Sequence, residues 1–164
     1  MNLLHSTNPK LREKSAKVIH FDDNLYRLTR GMIATMYGAK GIGLSAVQVG
    51  VLLQVVVVDV TQSLQSDDEH PGLIVLVNPE ITSKTGSAVT TEGCLSLPRV
   101  LADIKRADTI MVTAQDIHGD SFTMEAKGLF AACIQHECDH LQGILFLDHL
   151  SRLKRNMALG KTGK

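Results

Sequence analysis

The chain has 164 residues, of which 44% are hydrophobic and 21% charged, as in a globular protein large enough to bury a core without disulfides. Its 17 basic and 17 acidic side chains balance, so charge does not favour nucleic acid or a membrane as a direct partner. The first ten residues lack the apolar core of a signal peptide, and no apolar run is long enough to span a bilayer. Three cysteines without a disulfide spacing then favour a reducing cytoplasm, with thiols that are buried or bound to metal.

The first segment, residues 1–21, contains Pro9 and little apolar periodicity, and we expect an extended arm that lies on the body of the protein. A helix should follow, because Asp22 and Asp23 are favourable N-caps. Apolar residues then recur at helical spacing, in Leu25, Leu28, Met32 and Met36. Gly38 is expected to end this helix.

The middle of the chain predicts strands. Residues 51–60 form a nearly continuous β-branched run, which is typical of a buried strand. A polar surface loop is expected at residues 62–72, followed by a strand at 73–77 that ends at Asn78-Pro79. Residues 80–91 favour a further strand with a hairpin at Gly86.

Two alternating segments predict a hairpin whose turn lies at residues 116–120. Their apolar residues are Ile110, Val112 and Ala114 in one segment, and Phe122, Met124 and Ala126 in the other. A helix is expected at residues 128–142, stopped by Gly143, and a short strand at 144–147. Residues 151–164 are a short basic tail in which Ser151 can cap a last helix.

These segments predict one α+β domain over residues 1–164, with mostly antiparallel sheets packed around a central helix. That helix carries His136-Glu137-x-x-His140. At about 100° per residue, the two histidines lie on nearly the same face and one turn apart, so both can bind one metal ion. Glu137 is close enough to act as a base on water at the same ion, but a third protein ligand is missing.

Several residues near the motif fail as the third ligand. A metzincin would have a histidine at position 146, where this chain has Phe146, and His149 lies beyond the helix with no spacing argument. Cys138 points away from the histidine face. Cys133 shares that face but lies about 10 Å along the axis from His140, so we interpret it as pocket wall.

Cys94 is the remaining candidate, in the segment Glu92-Gly93-Cys94-Leu95-Ser96. Gly93 permits close approach of the backbone, and a thiolate here would close a tetrahedral site with water in the fourth position. A lone cysteine is also often a small buried hydrophobe, so the sequence leaves both interpretations of Cys94 open.

A glycine-rich segment, Gly41-Ile42-Gly43-Leu44-Ser45-Ala46, matches the dinucleotide-binding fingerprint in its Gly/Ala variant. The context excludes that function, because a helix precedes the segment and a strand follows it. Two interpretations remain: the glycines make a tight turn, or they present backbone to a ligand with the amide of Gln48 in the same pocket.

Taken in order, three segments resemble the motifs of the peptide deformylases: Gly41 to Gln48, Glu92 to Ser96, and Gln135 to His140. The resemblance extends over essentially the whole chain. Departures are small: Ser45 replaces a usual alanine, Cys138 fills a variable position, and the C-terminal tail is shorter than in many bacterial members.

The resemblance implies a hydrolase that removes the formyl group from N-terminal formyl-methionine of nascent polypeptides and releases formate. It implies that Cys94, His136 and His140 hold one ion per chain, natively Fe²⁺, with Zn²⁺, Ni²⁺ or Co²⁺ able to replace it. Glu137 would be the base, and the oxyanion donors would be the side-chain amide of Gln48 and the backbone N–H of Leu95.

The resemblance also implies the substrate contacts. Gly43 would pair with the substrate backbone, and the methionine side chain would enter an apolar slot. The residues assigned to substrate binding are Ile42, Gly43, Gly93, Leu129, Ala132 and Cys133. Arg106 and Asp139 would form a supporting ion pair behind the site.

Two other functions compete with this hypothesis. A zinc endopeptidase shares the His-Glu-x-x-His motif but needs a third ligand that this chain does not supply in the metzincin position. A non-catalytic module that binds formyl peptides is the second alternative. Ribosome contact through the basic tail is a further hypothesis on partners.

Overall fold

The computed structural model describes residues 1–61, 63 and 71–160 of the chain. Within these residues the helices are α1 (Asp23–Gly38), α2 (Gly128–Leu141) and α3 (Arg152–Gly160). The strands are β1 (Gly43–Ser45), β2 (Val55–Val58), β3 (Ile74–Thr85), β4 (Ala88–Cys94), β5 (Leu97–Arg106), β6 (Thr109–Gln115) and β7 (Ser121–Lys127). None of the described helices is both long enough and apolar enough to cross a membrane.

The strands form two sheets in which every pairing of named strands is antiparallel. The larger sheet has the order β1-β2-β3-β6-β7, and the smaller sheet pairs β4 with β5. The predicted hairpin of β6 and β7 is confirmed, with Val112 opposite Met124. The α+β class with antiparallel sheets is confirmed as well.

Helix α2 is the central helix, and ten of its fourteen residues are buried. Phe130 and Ile134 pack in one core with Val56 of β2, Leu76 of β3 and Val112 of β6. A helix that is buried on most sides can hold polar groups away from solvent only where they find partners. The core therefore fixes the position of the histidine face of α2.

Helix α1 begins as predicted, since the Asp22 carboxylate accepts hydrogen bonds from the N–H groups of Asn24 and Leu25 at 2.9 and 3.1 Å. Its buried Met32 and Met36 pack in a second core. The helix ends at Gly38, but the left-handed residue that terminates it is Lys40, with φ 56°.

The N-terminal arm ties two of the sequence motifs together. The Leu4 N–H donates to the Gln48 carbonyl at 2.8 Å, and the Ser6 N–H donates to the Ser96 carbonyl at 2.7 Å. Between residues 1 and 21 the only helical segment is a 3₁₀ turn at Pro9–Arg12, where Leu11 is fully buried. The extended arm is thus observed, and it holds both loops in place.

The prediction that Asn78-Pro79 ends a strand is wrong, because β3 continues through both residues. Asn78 adopts φ 52°, and the pairing register of β3 with β6 shifts between Val77 and Glu80. This bulge removes the need for a ladder hydrogen bond from the proline nitrogen. The Asn78 side chain accepts from the Val18 N–H at 2.8 Å, which fixes the bulge.

Three further predictions differ from the structure. No hairpin forms at Gly86, because β3 pairs with β6 while β4 pairs with β5, so the chain passes there from one sheet to the other. The segment 144–147 forms no strand; a 3₁₀ turn at Phe146–His149 is capped by Asp148, which accepts from the Leu145 N–H at 2.8 Å. The strand within residues 51–60 is shorter than predicted, and the predicted loop at 62–72 lies mostly outside the described residues.

Glycine at the end of α2 gives a test of this fold. Gly143 has φ 74°, and a Cβ there would lie 2.4 Å from the Arg12 carbonyl oxygen. We expect Gly143→Ala to lower the free energy of unfolding by at least ~2 kcal/mol, because both the backbone strain and the backbone clash must be relieved. Urea denaturation followed by circular dichroism measures this change in the free energy of unfolding.

Gly38→Ala is the matched control, since nothing lies within 4 Å of a Cβ at this helical position. Its expected effect is a gain of up to ~1 kcal/mol. Equal stabilities for the two variants would contradict the described junction between α2 and the arm.

Candidate metal centre and active site

Two elements bring three metal-ligating side chains together. Cys94 ends β4, and His136 and His140 lie one turn apart on α2. His140 Nε2 lies 3.3 Å from Cys94 Sγ and 3.2 Å from His136 Nε2, and all three ligand atoms lie within 4.8 Å of one another. The structure thus brings the three predicted ligands to one point.

The donor set fits a divalent cation. Two imidazole nitrogens on one tetrahedral ion would lie roughly 3.3 Å apart, and a nitrogen and a thiolate sulfur roughly 3.6 Å apart. The separations of 3.2 and 3.3 Å agree with these values. Beside them, the buried Oε2 of Glu137 has no hydrogen-bond partner among the described residues, as expected of a group that faces a reaction site.

Glu92 orients the first histidine. Its Oε2 lies 2.8 Å from His136 Nδ1, so the protonated ring nitrogen faces the carboxylate. The other ring nitrogen, Nε2, then faces Cys94 and His140. Burial raises the pKa of Glu92, but hydrogen bonds from His136 and Arg106 outweigh it and lower the pKa to about 2. Glu92 is therefore ionised at neutral pH.

Arg106 supports this carboxylate from behind. Its guanidinium donates to both Glu92 oxygens, from Nε at 2.7 Å and from Nη2 at 3.0 Å, and to Asp139 Oδ2 at 2.6 Å from Nη1. The Arg106–Asp139 contact is the ion pair that the resemblance implied. His149 also reaches Asp139, at 2.7 Å, so this surface histidine borders the same network.

Glu137 faces the other side of the cluster. Burial raises the pKa of this carboxyl to about 7, against the opposing effect of nearby His136. Gly43 lies directly against it, since a Cβ at Gly43 would be 2.7 Å from Glu137 Oε1 and 2.6 Å from Cys133 Sγ. Only glycine therefore permits the loop to lie this close to α2.

The amide of Gln48 is fixed by its neighbours. Its Oε1 accepts from the Ser45 N–H at 2.9 Å and from the Ser45 hydroxyl at 3.0 Å, so the NH₂ group is turned to the opposite side. There it donates to Ser96 Oγ at 3.2 Å and lies 3.5 Å from Cys94 Sγ. Gln48 is buried behind Cys94, whereas Leu95 lines the open cavity in front of it.

A cavity of about 520 Å³ opens in front of Glu137. Its walls include every residue that was assigned to substrate binding: Ile42, Gly43, Gly93, Leu129, Ala132 and Cys133. Cys94, Leu95 and His136 line it too, whereas His140, Arg106 and Asp139 lie behind the wall. The geometry places a protonatable carboxylate, a potential metal site and an apolar slot around one space.

Glu92 lies inside the second motif, but its contact with His136 was not predicted from the sequence. One signal was present: Glu92 and Cys94 are two residues apart in a strand, and such residues share a face. The pairing of Glu92 with His136 spans 44 residues and could not be derived from spacing alone.

Sequence comparison gives an independent line of evidence. The family model described as polypeptide deformylase matches residues 1–156. A peptide deformylase of Zymomonas mobilis subsp. mobilis is 46% identical over 160 residues, which are 97% of this chain and 90% of the relative. A peptide deformylase of Desulfotalea psychrophila is 47% identical over 96% of this chain and 91% of the relative.

Structural comparison agrees. The crystal structure of a peptide deformylase from Legionella pneumophila has a TM-score of 0.89 and 41% identity, covering 98% of this chain and 91% of its own. A peptide deformylase from Synechococcus elongatus, in complex with actinonin, has a TM-score of 0.89 and 41% identity, covering 99% and 87%. With the family match over residues 1–156, these similarities show that the chain belongs to the polypeptide deformylase family.

Proposed function

We propose that this chain hydrolyses the N-formyl group of N-terminal formyl-methionine in newly made polypeptides, releasing formate and a free amine. The observation that carries the proposal is the convergence of Cys94, His136 and His140 at one point. That point lies beside Glu137, at the wall of a cavity of about 520 Å³ with an apolar slot. Hydrolysis of a formamide needs an activated water, a base and donors for the oxyanion, and the chain has candidates for each.

Cys94, His136 and His140 would hold one divalent cation, which supplies a Lewis acid that makes water a nucleophile near neutral pH. We propose Fe²⁺ as the native ion, with Zn²⁺, Ni²⁺ and Co²⁺ as replacements, since one thiolate and two imidazoles suit all four. Metal analysis of protein purified without oxygen tests this assignment; zinc alone in such a preparation would count against iron.

Glu137 would accept a proton from the attacking water and later deliver it to the nitrogen of the leaving amine. A pKa raised by burial to about 7 suits both steps, because the carboxyl exchanges its proton readily at neutral pH. Gly43 holds the backbone at the start of β1 against this carboxyl, where we propose that an extended substrate pairs with it.

The formyl oxygen gains negative charge during attack and needs hydrogen-bond donors. We assign this function to the side-chain amide of Gln48 and the backbone N–H of Leu95. Ser45 supports the assignment, because its backbone and hydroxyl hold the Gln48 oxygen and so turn the amide nitrogen toward Cys94. The methionine side chain would enter the slot between Ile42, Leu129 and Cys133.

Formate release from a formyl-Met tripeptide tests the function, and Glu137→Gln tests the mechanism. We expect turnover by the metal-loaded wild type and a loss of at least ~10²-fold in kcat for the variant, because the proton acceptor is gone while all three metal ligands remain. Metal content should stay at one ion per chain. Full activity of the variant would refute the role of Glu137, and peptide-bond cleavage without formate release would favour an endopeptidase instead.

Glu92→Gln tests the support of His136. The neutral amide would weaken the hydrogen bond to His136 Nδ1 and leave the Arg106 guanidinium without its buried counter-charge. Metal affinity should fall by roughly 10–100-fold, as for other residues that orient a metal-binding histidine. Competition with a chromogenic chelator measures it.

Glu125→Gln is the control for that substitution, since among the described residues the side chain of Glu125 forms only an exposed pair with Lys127 on β7. Its metal affinity should equal that of the wild type. Unchanged affinity in Glu92→Gln as well would contradict the role proposed for the buried carboxylate.

We further propose that the enzyme acts in the cytoplasm on chains that are leaving the ribosome, and that its basic C-terminal segment contacts the ribosome. Helix α3 supports the second point, because it presents the exposed cations Arg152 and Lys154, and RNA attracts such cations. A truncated chain that ends at Ser151 should lose ribosome co-sedimentation at low salt while it keeps formate release from a tripeptide. Co-sedimentation equal to that of the full chain would refute the contact.

A further inference from the structure

The outer part of the cavity carries two cations, Lys40 and Arg99, on its lining. Both side chains belong to exposed residues, and neither forms an ion pair or hydrogen bond through its side chain with the described residues. Both residues also adopt left-handed backbone conformations, with φ 56° and 67°. In the described chain the third non-glycine residue with positive φ is Asn78, which forms the bulge of β3.

Lys40 is held in place by the end of α1. The Lys40 N–H donates to the Tyr37 carbonyl, and the Gly41 N–H donates to the Met36 carbonyl, both at 2.9 Å. These two hydrogen bonds cap the C-terminus of α1. Glycine would adopt this conformation at lower cost, so backbone geometry gives no reason for a lysine here. Its presence at the cavity calls for a function of the side chain.

Arg99 is presented by an irregular part of β5. Glu92 pairs with Ala102 and Cys94 pairs with Leu97, so residues 98–101 all lie opposite Gly93. Such a bulge turns side chains away from the regular alternation of a strand. The bulge thus brings Arg99 to the wall of the cavity.

The anionic residues of the same cavity do not neutralise these cations. Glu92 is bound by Arg106 and His136, and Glu137 is buried beside Gly43. Both carboxyl groups, of Glu92 and Glu137, are buried, whereas Lys40 and Arg99 are exposed. The outer part of the cavity is therefore positively charged. Two cations on the lining of one groove attract a negative group that binds there.

Lys40 precedes Gly43 by three residues, so their Cα atoms lie at most about 10 Å apart. If the first residue of the substrate lies at Gly43 and Glu137, a strand-like peptide reaches the level of Lys40 with its second or third residue. We infer that Lys40 and Arg99 select formyl-methionyl chains that carry an acidic side chain at the second or third position. This inference rests on the proposed function and concerns the same cavity.

Peptides with an amidated C-terminus test the inference, because a free terminal carboxylate would itself supply the anion. We propose measuring kcat/KM for formate release from formyl-Met-Glu-Ala-amide and formyl-Met-Ala-Glu-amide, each compared with its Gln and Lys counterparts. At least one Glu peptide should exceed its Lys counterpart by about two- to fivefold at low salt, within the range of an exposed ion pair. The preference should shrink as salt is added.

The double variant Lys40→Glu with Arg99→Glu should reverse the order, so that the Lys peptide is hydrolysed faster than the Glu peptide. Lys14→Glu is the control, since Lys14 is an exposed cation that does not line the cavity. It should keep the wild-type preference.

Equal kcat/KM values for Glu, Gln and Lys peptides in the wild type would overturn the selection and leave the deformylase function standing. An unchanged preference in the double variant would also overturn it. Formate release from none of the peptides would overturn the proposed function, and the selection with it.

Discussion

The bond between Glu92 and His136 is the interaction on which the arrangement of the site depends. It joins a strand of the smaller sheet to the central helix, and it turns Nε2 of His136 toward Cys94 and His140. A buried carboxylate is stable only when its charge is matched, and Arg106 supplies that match through two hydrogen bonds. Breaking this network would leave an uncompensated charge beside the proposed metal ligands.

The fold provides the two rigid elements that this network connects. Helix α2 is fixed on most sides by the core that it shares with the larger sheet, so its histidine face cannot turn. Strand β4 carries Glu92 and Cys94, and the N-terminal arm secures the loop after it through the Ser6–Ser96 hydrogen bond. Ligands on two rigid elements need little reordering to bind an ion, which favours affinity.

Much of the site could be predicted because its signals are local. The spacing of His136 and His140 places both on one helix face, and the hairpin of β6 and β7 follows from strict alternation. The crossing of the chain from one sheet to the other at Gly86 is not a local property, since two consecutive strands have the same pattern whether they pair with each other or with strands of different sheets. Nor does sequence spacing show that residues 98–101 bulge, which is what brings Arg99 to the cavity.

The most direct measurement is X-ray absorption spectroscopy at the metal edge of the loaded enzyme, combined with metal stoichiometry. One sulfur ligand at about 2.3 Å and two imidazole nitrogens near 2.0–2.1 Å, at one ion per chain, are expected for a site of Cys94, His136 and His140. Loss of the sulfur contribution in Cys94→Ser, with Cys133→Ser unchanged, would identify the thiolate. A wild-type spectrum with only nitrogen and oxygen ligands would contradict the site described here.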